Sequence, residues 1–216
     1  MKRREVIKGL ATLGTLAFLP NFGIDGIHTS AHLHFIGLGH GGTTGLASIQ
    51  KKGIEAKYTC ITGPFVSHVK SDFRHIFFES LQEYRVNGIK YKEQLPLTRE
   101  MEDVLSENDF FVILTGLGSS VGTGLISNIL EFLEFKEKNY LAICSLPFKN
   151  EGRFRNKYAN EKMMDLQKYN VRFFDSNKIL EKYGEARISK NFANCDEEIY
   201  SIVEKEISRF SFGINR

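Results

Sequence analysis

The run DFFVILTG, residues 109–116, presents apolar side chains to both faces of any strand it forms, so that strand has to be covered on both sides. Such runs belong to parallel sheets, whose crossover helices pack on each face. The rest of the chain alternates to match. HLHFIGLG (32–39), AKYTCIT (56–62), NYLAICSLPF (139–148) and VRFFD (171–175) read as further strands. GLASIQKKG (45–53), Phe73 to Tyr84, TREMEDVLSEN (98–108), LISNILEFLEFKEKN (125–139), EKMMDLQKYN (161–170) and NCDEEIYSIVEKEISRF (194–210) read as helices, and VNGIKYKEQLPL (86–97) as a loop. The expected fold class is α/β, a three-layer Rossmann-like parallel sheet with helices on both faces.

Two of these strands run straight into glycine turns. Gly37-Leu38-Gly39-His40-Gly41-Gly42 satisfies GxGxxG between a strand and a helix, and TGLGSSVGTGLIS (115–127) follows the doubly apolar strand. Bare backbone there can approach phosphate oxygens, and the next helix adds free N–H groups and the positive end of its dipole. The structural alternative is a turn packed tightly against a neighbouring strand. A nicotinamide site also wants an acid at the end of the second strand, where Cys60-Ile61-Thr62-Gly63 has none.

Charge narrows the partners. Lys2, Arg3, Arg4 and Lys8 against Glu5 and Asp25 put two of the three net positive charges in the first 31 residues. The remaining body is near neutral, which argues against a nucleic-acid binder. Cys60, Cys144 and Cys195 lack CxxC spacing and read as buried thiols. His32 and His34 share a strand face without a third metal ligand, and Asp72, His75 and Glu79, at helical spacing, read as a solvated face.

MKRREVIKGLATLGTLAFLP resembles a twin-arginine signal: paired arginines, apolar residues, a lysine and a short uncharged run. That run is about half the roughly 20 residues a membrane span needs. Thr29-Ser30-Ala31 offers small residues for cleavage, which divides the chain into a leader (1–31) and a domain (32–216). Export or membrane association is the favoured expectation, and a cytoplasmic protein with a packed N-terminal helix is the alternative.

FVILTGLGSSVGTGLIS resembles the tubulin/FtsZ signature, a buried strand entering G-x-G-G-G-T-G-[ST]-G and then a helix. Gly116, Gly118, Gly122, Thr123 and Gly124 match it, while Ser119, Ser120 and Val121 depart. PFKNEGRFR resembles the family segment P-F-x-x-E-G-x-x-R through Pro147, Phe148, Glu151, Gly152 and Arg155. On spacing alone, Glu151 and Arg155 would be an i,i+4 ion pair. The last helix resembles I-S-x-x-D-A-F-x-x-A-N-D through Ile188, Ser189 and Phe192 with one residue deleted, and Asp196 stands where the family has asparagine.

The resemblance implies a guanine nucleotide, GTP or GDP, with Gly39, His40, Gly41, Gly42 and residues 116 and 118–124 at its phosphates. Glu151 and Arg155 would take the ribose side; Phe192, Asp196 and Asn177 would face the base. The family's T-D-x-Q segment is replaced by Thr62-Gly63-Pro64-Phe65, so bound Mg²⁺ and a γ-phosphate switch do not carry over. FtsZ continues into an acidic water-activating loop and a second domain. The sequence ending at Arg216 leads us to expect slow or absent GTPase activity and a protein partner supplying the missing domain. The alternative is a degenerate scaffold, an envelope interaction module without nucleotide.

Overall fold

A computed structural model describes residues 33–63, 72–78, 95–184 and 187–213. The leader, Glu79 and most of the expected loop lie outside the described residues. Six parallel strands form one sheet: β1 (Leu33–Leu38), β2 (Lys57–Thr62), β3 (Arg74–Phe77), β4 (Phe110–Gly116), β5 (Asn139–Leu146) and β6 (Val171–Asp175). Their order across the sheet is β3-β2-β1-β4-β5-β6. Helices α1 (Gly39–Gln50), α2 (Arg99–Ser106), α3 (Ser120–Phe135), α4 (Arg153–Leu166), α5 (Asn177–Tyr183) and α6 (Ile188–Gly213), with a single 3-10 turn at Lys149–Glu151, complete the described elements.

The two-sided apolar strand behaves as its pattern demands. Phe111 and Ile113 of β4 pack with Met101 and Leu105 of α2, Leu125 and Ile129 of α3, and Ala159 of α4. Val112 and Leu114 point the other way, against Leu46 and Ile49 of α1, Ile179 of α5, and Ile199 and Val203 of α6. The result is helix, sheet, helix, with α2, α3 and α4 on one face and α1, α5 and α6 on the other. All three cysteines are buried and free.

Four local differences from the sequence reading have physical causes. α1 begins at Gly39 rather than residue 45, and α3 at Ser120 rather than residue 125. Glycine-rich segments have poor intrinsic helicity, so these first turns are held by packing on β4 and β1. α4 likewise begins at Arg153, eight residues before the expected start. Arg74–Phe77 is a strand, not part of a helix. Its apolar residues fit either period over so short a run, and parallel pairing with β2, from Thr59–Arg74 to Thr62–Phe77, decides the outcome. His75 accordingly sits on an edge strand and stacks on Phe77, which removes the solvated helical face.

Candidate functional site

The strand order reverses between β1 and β4. β1 leads into α1 on one face of the sheet and β4 into α3 on the other, which opens a crevice at the carboxyl ends of the two strands. In open α/β sheets this switch point is where ligands bind. Both glycine turns fall there, and they touch: Gly39 has φ +67°, and a Cβ added to it would lie 3.4 Å from the Gly122 nitrogen.

The glycines divide by what a side chain would meet. At Gly42 a Cβ would overlap the carbonyl oxygen of Leu114, and at Gly122 it would overlap the Thr115 hydroxyl. At Gly124 it would sit 2.7 Å from Leu95 Cγ. These three are glycine because backbone and neighbours press against them, whatever their N–H groups face. Gly118 has φ +82°, and its missing Cβ would lie 2.5 Å from Arg155 Cγ, so Arg155 lies against the second turn. Gly41 and Gly116 are looser, with nearest neighbours at 3.7 Å and 3.5 Å, and His40 is exposed in the first turn of α1.

Two of the three departures from the glycine signature turn inward. Ser119 donates its hydroxyl to Gly116 O at 2.9 Å, and the Val121 side chain is buried in the core. Ser120 is half-buried at the start of α3. Thr123 is fully buried in α3, and its hydroxyl has no partner among the described residues; the same holds for Thr62, at the carboxyl end of β2. Unpaired buried hydroxyls are uncommon and mark a strained or ligand-directed site.

The turn from Pro147 to Gly152 forms the next wall. Glu151 Oε1 accepts from the Phe148 N–H at 2.7 Å, and Oε2 accepts from Arg155 Nη1 at 2.8 Å, so the i,i+4 ion pair does form. Arg155 Nε is buried without a partner among the described residues. Asn177 is committed inside the protein: its Oδ1 accepts from the Lys149 N–H at 2.9 Å and its Nδ2 donates to Asp175 Oδ1 at 2.8 Å. Asn156, which the sequence reading passed over, donates Nδ2 to the carbonyls of Phe148 (3.1 Å), Lys149 (3.5 Å) and Gly152 (3.0 Å). An amide one turn into a helix that follows a glycine was the available signal.

Phe192, on the first turns of α6, remains 46% exposed while its edge meets buried Phe148 at 5.5 Å. Asp196 follows one helical turn later on the same side. Burial pushes its carboxyl up to about 6, with Glu197 adding to the shift, and it has no hydrogen bond or ion pair among the described residues. Between them Cys195 faces the sheet; burial pushes its thiol up to about 11, and Asp196 and Glu151 both act on it electrostatically. A continuous line therefore runs from the second glycine turn through Gly118, Arg155, Glu151 and Phe148 to Phe192.

Away from this edge, His34 is buried on β1 with Nε2 2.8 Å from Thr59 Oγ1, and burial pushes its pKa down to about 4. Among the described residues no group of three or more His, Cys, Asp or Glu side chains could hold a metal ion. A shallow cavity of ≈ 500 Å³ beside His34 is lined by Lys57 and Arg74, both ion-paired with Glu107.

Known proteins share this arrangement. The FtsZ dimer of M. jannaschii, solved empty, is similar in fold with a TM-score of 0.67 and 20% identity, covering 94% of this chain and 58% of that one. The fold is that of the FtsZ/tubulin family. CetZ2 of Haloferax volcanii, solved as a GTPγS-bound protofilament, superposes with a TM-score of 0.66 at 16% identity, over 83% of this chain and 59% of that one. In sequence, the cell division protein FtsZ of Mycoplasmopsis pulmonis is 24% identical over 175 residues, 77% of this chain and 45% of the relative. The sequence relatives and the structural neighbours are thus proteins of one fold, none of them above 24% identity to this chain. No protein-family model matches the chain. It spans about half the length of the curated relatives it matches.

Proposed function

We propose that this protein binds a guanine nucleotide, GTP or GDP, across the crevice between β1 and β4. The observation that carries the reading is the contact of two glycine turns at the switch point, each opening a helix. Helix starts and bare backbone of this kind suit phosphate oxygens. Arg155, with an unpaired buried Nε and its stem against Gly118, suits the phosphate and ribose end, and Glu151 the ribose hydroxyls. The half-exposed Phe192 ring offers a stacking face, and the unpartnered Asp196 carboxylate offers two acceptors for the N1–H and 2-amino donors of guanine.

In this reading turnover is slow. The two site carboxylates, Glu151 and Asp196, belong to the ribose and base ends, so water activation relies on phosphate positioning alone or on an acid from a partner. A protein partner is an extension of the same proposal.

The departures at Ser119, Ser120 and Val121 favour a second reading, a retired site serving as an interaction module. Two of those side chains turn into the protein, which supports the nucleotide reading instead. Denaturing protein purified without added nucleotide, and measuring the released material by absorbance and mass, separates the two. GDP or GTP near one equivalent is expected; protein that is free of nucleotide and stays so after soaking in GTP would sink the proposal.

A further inference from the structure

We propose that Asn156 is a positioning residue for ribose recognition: its amide clamps the Pro147–Gly152 turn so that the Glu151 carboxylate is presented to the crevice in one orientation. The inference rests on the nucleotide reading above. Its basis is the distribution of hydrogen bonds around the turn. Within the turn two bonds join the same pair of residues, Glu151 N–H to Phe148 O at 3.0 Å and Phe148 N–H to Glu151 Oε1 at 2.7 Å. Gly152, at φ +100° and ψ 146°, breaks the chain direction immediately afterwards. Short turns with so few internal bonds are held from outside or they move.

Two side-chain amides hold this one. Asn156, from α4, reaches back to three carbonyls that bracket Glu151, those of Phe148 and Lys149 before it and Gly152 after it. Asn177, from α5, holds the other side through the Lys149 N–H and the Pro147 carbonyl at 3.5 Å. Asn177 also organises its own helix start, where its N–H donates to Asp175 Oδ1 at 3.0 Å, so replacing it would disturb more than the turn. Asn156 is the cleaner probe. It touches the turn, while the carboxylate it positions carries the contact with the ligand.

Only a donor group can do this work, because all three partners are acceptors. Aspartate is the same size, yet it would place a carboxylate against three carbonyl oxygens. Asn156→Ala and Asn156→Asp should both release the turn, and Asn156→Ser, which keeps one donor, should fall between them and the native protein. The ligands that read the effect are GTP, 2′,3′-dideoxy-GTP and inorganic tripolyphosphate.

The native chain is expected to prefer GTP over its dideoxy analogue by about tenfold, the usual worth of hydrogen bonds to a charged group. In Asn156→Ala and Asn156→Asp that preference should fall to about twofold or less, with tripolyphosphate binding unchanged, whereas a merely structural defect would weaken all three ligands alike. Trypsin cleavage after Lys149, measured without nucleotide, should accelerate several-fold in the same variants, and it remains informative if one of them is too unstable to titrate. Full ribose preference together with unchanged cleavage in a folded variant overturns the clamp. Absence of GTP binding by the native chain overturns the nucleotide reading and the ribose role with it, while the cleavage rates still show whether Asn156 holds the turn.

Discussion

Gly42→Ala is expected to lower the unfolding free energy by about 3 kcal/mol, while Gly41→Ala, one residue earlier in the same helix, stays within about 1 kcal/mol of the native protein. The added methyl group at Gly42 overlaps the Leu114 carbonyl oxygen and approaches the Gly37 carbonyl carbon at 3.0 Å. Both obstacles are backbone, so no rotamer change relieves them. α1 has to lift off β4, opening the core packed around Leu46 and Ile49. At Gly41 the nearest atoms lie at 3.7 Å, an ordinary contact, and a Cβ inside a helix recovers some backbone entropy. Urea unfolding of both variants checks the contrast. Equal midpoints would show that α1 does not rest on β4 as described, and would remove the packing explanation for that glycine.

Asp196 is the second large effect, and its sign differs between stability and binding. Burial raises its carboxyl to about 6 from an ordinary value of 3.8. A raised folded-state pKa means that the stability tied to the protonated form is present below the ordinary value and is lost as pH rises through about 6. Asp196→Asn is therefore expected to stabilise the nucleotide-free protein at pH 7.5 by about 1 kcal/mol, a figure reduced for the partial exposure of the group, with the gain vanishing toward pH 4. Binding runs the other way. Only the carboxylate can accept from both guanine donors, so GTP affinity should fall about tenfold between pH 7.5 and pH 5 in the native protein and stay flat in Asp196→Asn. Asp196→Ala should bring GTP and ATP affinities within a few-fold of each other. A flat profile for the native protein, or undiminished guanine preference in Asp196→Ala, would remove Asp196 from base recognition. A carboxylate left part-buried and unpaired at the cost of stability is a common mark of a functional position.

The fold was legible because its central strand admits few solutions: a run apolar on both faces needs helices on both sides. Alternating strands and helices imply a parallel sheet, while the strand order, and with it the meeting of the two glycine turns at the switch point, shows only in the structure. What escaped notice depends on contacts distant in sequence. Whether a glycine serves a ligand or a neighbour is decided by what its Cβ would strike, and for Gly42 that is Leu114, for Gly124 Leu95, for Gly118 Arg155. The starts of α1 and α3 are not legible in the sequence for the same reason, since glycine-rich turns with weak local propensity become helical only when packed. Four residues cannot separate a helical from an extended period, so only its pairing with β2 settles β3 as a strand. Glu151 and Arg155 were visible by spacing and by resemblance. Asn156 and the second task of Asn177 were not, because a side-chain amide bonding to backbone carbonyls leaves little pattern in sequence.

The central claim is that this crevice recognises a guanine nucleotide. Its most direct test is a set of equilibrium titrations of the full chain with GTP, ATP and NADH at pH 7.5. The account predicts saturable GTP binding at least about 100-fold tighter than ATP, because a carboxylate facing guanine meets two donors and facing adenine only one. NADH should not compete. GTP binding no tighter than that of ATP or NADH would contradict the claim.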